Sequence, residues 1–369
     1  MVRSWLLLPI LCLALGSVPA SAQVIRQLID EKGDGAGHLL QGARAMAVDA
    51  KGNVYVAGQM SHNVFRIRPN GKIELLIGAD GDGKGHVLTE PHGIAVDSKG
   101  NVYVTGEKSW NVFRIAPDGK KTQIVDLTGD GLGNGLRRPI GLAIDPQDNL
   151  FIAGGNSNNV LKRAPNGTLT KVIGLEGAGA GQELRRPNGL AVDAHGNAYV
   201  VGAKTRNVFK IDASGKVTQI ADAKGAGEGK SLMFPNGIDV DRQGNVYVTG
   251  NNSGNALRIA PTGEITQIMG DTGIEKDIQL GGPTGVAVDP AGNVYVARGG
   301  PYSVYRITPA GVITRILDQA GDNAGHSLWS ARAIEVDAQG NVYVTGMGSN
   351  NLFRFTPPGP GAQAPTSAK

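Results

Sequence analysis

One aspartate recurs every 48 residues, at Asp49, Asp97, Asp145, Asp193, Asp241, Asp289 and Asp337. So strict a period forbids a set of unrelated domains and demands seven copies of one small unit. The second copy shows its content. Gly93 to Asp97 is a short apolar run, and residues 98–101 form a turn. Val102 to Gly106 is rich in β-branched and aromatic residues. The polar loop 107–110 leads to Asn111 to Ile115, a turn at 117–119, and a fourth run at 121–125. Short β-branched runs between Gly, Asn and Pro turns predict strands, and no helical period competes.

A four-stranded meander of this length has two apolar faces and cannot bury both alone. Radial stacking of seven such sheets buries them all. The sequence therefore predicts an all-β, seven-bladed β-propeller of four-stranded antiparallel blades. The 56 glycines lack a three-residue period, which excludes a collagen-like chain. They fit turns and close approaches instead.

The ends of the repeat array predict how the ring closes. Val24 to Asp30 matches Val312 to Asp318, a fourth strand, while the seventh copy stops after a third strand at Leu352 to Phe355. The N-terminal strand 24–30 is expected to complete blade seven, so the propeller spans 23–357. Residues 1–22 read as a signal peptide: Arg3, an apolar run from Leu6 to Leu15, then Ala20-Ser21-Ala22. That run is too short to span a bilayer. The expected location is secreted or periplasmic after cleavage near Ala22. The only cysteine, Cys12, falls in the leader, so the mature chain is built without disulfides. Leu11 precedes it where a lipid anchor would want a small residue. Residues 358–369 are expected to be a disordered tail.

Residues 93–104 and 111–119 resemble the NHL-type β-propeller repeat and bacterial β-propeller repeats with Val-Thr-Gly after the second strand. That resemblance implies the fold and little about function. Related seven-bladed propellers include the streptogramin lyases, for which it implies a metal and a histidine near the channel. No comparable histidine-glutamate-histidine cluster stands out here.

Candidate sites come from comparing the copies with one another. Five residues before each aspartate, the channel mouth is expected to carry Arg44, His92, Ile140, Asn188, Asn236, Thr284 and Arg332. Blades seven and one are neighbours, so Arg44, Arg332 and His92 should form a positive patch suited to a carboxylate or phosphate. An ordinary solvated rim is the bland alternative. Trp110, Arg298 and Tyr302 lie in loops between second and third strands and suit a groove for a sugar or peptide side chain. Asp239 and Glu335 replace an alanine on the inner strand. Buried carboxylates are costly unless paired, so these two should face the channel or a basic partner.

His38, His86 and His326 share one offset, as do Asp34, Asp82, Asp130 and Asp322. They are weak metal candidates. Calcium is the ion such aspartate loops suit, but capping of glycine turns is the simpler role. No other cofactor is expected. The formal charge of +4 is too small and scattered for a nucleic-acid binder. The expected role is an exported, monomeric binding or scaffold module for a protein, peptide or glycan on the long-loop face. The alternative is a metal-assisted lyase or hydrolase with its site over the central channel.

Overall fold

The computed structural model describes residues 24–270, 282–300 and 302–356. The leader at 1–22 and the tail at 358–369 lie outside the described residues. Seven four-stranded antiparallel sheets form a ring. Blade one runs Ala43–Val48, Val54–Gly58, Asn63–Ile67 and Ile73–Ile77, with the first strand innermost. Inner strands of successive blades touch around the whole ring, blade seven against blade one included. Blade seven takes its outer strand from the other end of the chain. Ile25–Ile29 pairs antiparallel with Asn351–Phe355, placing Ile25 opposite Phe355 and Gln27 opposite Phe353. Among the described residues, no helix is long and apolar enough to cross a membrane.

The core is seven layers between blades rather than one centre. Between blades one and two, Tyr55, Ala57 and Ile77 meet Ile94, Val104 and Phe113. Each fully buried side chain of this size contributes about 1.5–3 kcal/mol. The recurring aspartate ties the first turn of each blade. Asp97 Oδ1 accepts the backbone N–H groups of Lys99 and Asn101, and Oδ2 accepts Asn101 Nδ2 and the Tyr103 hydroxyl. One carboxylate thus organises a turn and the start of the second strand.

These aspartate turns lie on one face of the ring. The meander places the starts of the inner strands, the loops between strands two and three, and the interblade loops on the other. The inner strands approach closely. A Cβ at Gly189 would run into the carbonyl oxygen of Asn236 on the next blade. The bore is therefore narrow, and the first residues of the inner strands crowd one mouth.

Candidate functional site

The mouth is a cavity of about 200 Å³. Arg44, His92, Ile140, Asn188, Asn236, Thr284 and Arg332 all line it, and Glu335 lines the same lumen. They do not share one role. Asn188 Nδ2 donates to Asn236 Oδ1 at 2.5 Å, linking blades four and five. Thr284 is buried and donates to the Ala331 carbonyl at 2.9 Å, so it fixes the wall. Ile140 is apolar and buried.

The remaining polar groups converge on one side. Arg44 Nη1 donates to Gln59 Oε1 at 3.2 Å and reaches Met347 Sδ at 4.0 Å. Gln59 Nε2 donates to Glu107 Oε2 at 3.3 Å. Glu107 Oε1 takes Arg138 Nε at 2.7 Å and Nη2 at 2.6 Å. This chain runs from blade one, across blade two, to the loop before blade three. Burial, then the charge of Arg332, pushes the Arg44 guanidinium down to about 10. Burial also lowers Arg332. His92 is pushed well below the usual imidazole range, first by burial and then by Arg44, with Arg138 and Arg332 adding to it. The mouth therefore offers a neutral imidazole beside guanidinium groups. Such a pair can accept a proton and stabilise the anion that forms.

Gln59, Glu107 and Arg138 were not among the residues the sequence singled out. The signal was present. The residue after the second strand is small in blades three, four and six, at Gly155, Ala203 and Gly299, but Gln59 and Glu107 in blades one and two.

Asp239 and Glu335 part ways. Asp239 accepts the backbone N–H groups of Val240 and of Val288 on the next blade, both at 2.8 Å. It ties two blades and meets no basic partner among the described residues. Burial nonetheless pushes its carboxyl up to about 6. Glu335 is exposed to the open lumen, with the inner strands of the blades ringed around it. That enclosure, with Asp239 nearby, pushes its carboxyl up to about 8.

The loop histidines bind their own aspartates. His38 Nδ1 lies 2.7 Å from Asp34 Oδ2, His86 Nδ1 2.9 Å from Asp82 Oδ2, and His326 Nδ1 2.6 Å from Asp322 Oδ2. Asn134 takes the same place against Asp130 at 2.6 Å. Burial raises Asp34, Asp82 and Asp322, but hydrogen bonds from the loop and the histidine outweigh it and lower them. Each aspartate also accepts N–H groups of its own turn, as Asp34 does from Ala36. Among the described residues, no three His, Cys, Asp or Glu side chains group closely enough to hold a metal ion. At the mouth, guanidinium groups surround the one histidine. These residues do not fit the metal that the lyase resemblance implies.

Trp110 stands against Arg137, whose guanidinium lies 5.8 Å from the ring centroid. Tyr302 stacks on Trp329, centroids 5.4 Å apart. Blades seven and one separate these two positions. Arg298 is only 6% exposed. Its six counterparts are glycines for a local reason. At Gly106 a Cβ would strike Ser109 Oγ and Asn111 Oδ1, which hydrogen-bond to each other at 2.8 Å. Blade six carries Pro301 and Ser303 at those positions, so the clasp is absent from its sequence and a side chain is admitted.

A family model described as "Beta-propeller repeat" matches residues 78–107 and 216–255. No curated protein matches the chain. Among solved structures, virginiamycin B lyase from Staphylococcus aureus aligns with TM-score 0.71 at 14% identity, over 91% of this chain and 99% of that one. Hydrazine synthase from Kuenenia stuttgartiensis aligns with TM-score 0.63 at 16% identity, over 86% and 96%. An extracellular domain from B. thetaiotaomicron aligns with TM-score 0.64 at 13% identity, over 90% of this chain but 40% of that one. The chain shares its fold with these structures. The expectation of a binding or scaffold module is corrected. The chains filled almost end to end by this ring are a lyase and a synthase, and the mouth gathers one polar cluster instead of a shallow surface.

Proposed function

We propose that the protein is an exported enzyme of the lyase or hydrolase class, with its site at the channel mouth. The carrying observation is that Arg44 and Arg332 line one cavity with His92, while the chain Arg44–Gln59–Glu107–Arg138 leads away from it across blade two and Arg138 also acts on the imidazole. His92 serves as the base that takes a proton from the substrate or from water. Arg44 and Arg332 stabilise the oxyanion that results. Glu107 and Gln59 hold the arginines in place. No step is routed through a metal. The repeat is read as NHL-type on Gly93 to Val104, and export rests on the leader at 1–22.

Product mass tests the reading. The purified chain is incubated in ¹⁸O-water with quinupristin, which a catalytically inactive variant of the S. aureus lyase holds in its crystal structure, and with anionic esters and uronides. Hydrolysis adds one labelled oxygen and elimination adds none. Turnover that His92→Ala abolishes supports the enzyme. Turnover of any substrate that persists in His92→Ala places the chemistry elsewhere.

A further inference from the structure

Among the described residues, two guanidinium groups at the mouth lack an anion, and Arg44 reaches only Gln59 Oε1 and Met347 Sδ, both neutral. The buried Nε atoms of Arg44 and Arg332 meet no acceptor. Glu107, the nearest buried carboxylate in the network, is already engaged by Arg138. Buried charge without a counterion is unfavourable, and a planar guanidinium is shaped for an oxyanion. The two arginines come from adjacent blades, seven and one, and line the same cavity. Across it the Asn188–Asn236 pair presents uncharged amides.

We propose that the mouth seats an oxyanion of the substrate, a carboxylate or phosphate, between Arg44 and Arg332, and that seating it switches on His92 as the base. The proposal rests on the enzyme reading above and names its substrate class. The groups bearing on His92 are Arg44, Arg138 and Arg332, with Glu107 offsetting Arg138, Glu90 acting on Arg44, and Glu335 in the lumen below. Burial first, and then the positive charge of Arg44, Arg138 and Arg332 in the same mouth, keeps the imidazole from taking a proton. An anion between two of them cancels that charge, so a proton becomes easier to accept when the substrate is in place. The empty mouth then holds an idle base, and the filled mouth a working one.

Calorimetry on the intact chain tests this near pH 6. Inorganic phosphate and malonate are titrated separately, in two buffers of different ionisation enthalpy. The expected result is saturable one-to-one binding of at least one anion, with proton uptake. Phosphate alone points to a phosphoryl substrate, and malonate alone to a carboxylate. Arg44→Gln and Arg332→Gln should each weaken binding about tenfold or more, as loss of a charge-assisted contact does. Both should melt no lower than the parent, because an unpaired charge is removed. His92→Asn should keep binding and lose the proton uptake. No saturable binding of either anion, or equal affinity in both arginine variants, overturns the seat. Uptake that survives His92→Asn overturns the switch. Anion binding without turnover retires the enzyme reading alone, and turnover without anion binding retires this one alone.

Discussion

The hydroxyl of Tyr103 donates to Asp97 Oδ2 at 3.0 Å. The same pair recurs in blades one, four, five, six and seven. Blade three has Phe151 instead, and Lys162 Nζ stands 3.8 Å from Asp145 Oδ2. Burial and the adjacent carboxylate push the Tyr103 phenol up to about 12, so it remains a donor at every working pH. Phe151→Tyr should add one hydrogen bond to a charged acceptor and stabilise the chain by about 1–2 kcal/mol, and Tyr103→Phe should cost a similar amount. Chemical denaturation checks both. An unchanged midpoint for Phe151→Tyr would show that Lys162 already satisfies Asp145.

Ring closure joins residues far apart in sequence. Beside the Ile25–Phe355 pair, Asn350 Oδ1 accepts the Gly42 N–H at 2.7 Å. Deleting residues 24–30 strips Ile25, Leu28 and Ile29 from their layers and bares the edge of Asn351–Phe355. Each lost apolar side chain removes at most about 1.5–3 kcal/mol. The truncated chain should melt markedly lower and self-associate through the bared edge. An unchanged melting temperature in a monomer would refute the closure energetics.

The ring was legible because it is written seven times. The period, the four runs per copy and the match of Val24–Asp30 to Val312–Asp318 each follow from residue pattern alone, and Ile25–Ile29 does pair in the last blade. The site was legible only in part. Its first ring of residues sits at one repeat position, so comparing copies found Arg44, His92 and Arg332. Glu107 and Arg138 belong to two different loops whose meeting depends on the handedness and spacing of the blades. Nothing in the spacing of residues 107 and 138 announces a hydrogen bond. Likewise Asp239 and Glu335 occupy the same repeat position, yet only Asp239 finds two N–H donors. The repeat gives the address of a side chain, and the neighbouring blade decides its partner.

Glu107 is buried between Gln59 and Arg138. Removing one member of a buried pair leaves the other charge exposed to a poor solvent. Arg138 retains 28% of its side-chain surface, so water relieves part of the loss. Glu107→Ala should therefore cost near the lower end of the roughly 3–5 kcal/mol typical of buried pairs. Glu107→Gln keeps the shape and one acceptor and should cost less. Arg138, released, should also move the His92 titration. Proton NMR of the imidazole across pH 4 to 8 in Glu107→Gln should show His92 displaced further down, since one compensating negative charge has gone. An imidazole that titrates as in the parent would place Glu107 outside the electrostatic circuit of the mouth.

Glu335 makes stability depend on pH in the direction opposite to a salt-bridged carboxylate. Its side chain opens on the lumen, but enclosure by the surrounding inner strands, and then Asp239, raises its carboxyl to about 8 in the folded chain from an ordinary 4.5. Between those values the folded chain binds more protons than the unfolded chain. Stability should then fall as pH rises through that window and level off above it. Asp239, raised to about 6 by burial, adds a smaller fall that ends earlier. Glu335→Gln removes the titration and keeps the volume. Its melting temperature minus that of the parent should rise from about pH 5 and reach a plateau above about pH 8. Asp239→Asn is the contrast, because it trades acceptor oxygens that hold Val240 and Val288 for an amide and should destabilise at low pH. A flat difference for Glu335→Gln across the range would mean that water in the lumen solvates the carboxylate, and that the lumen is wetter than its close-packed inner strands imply.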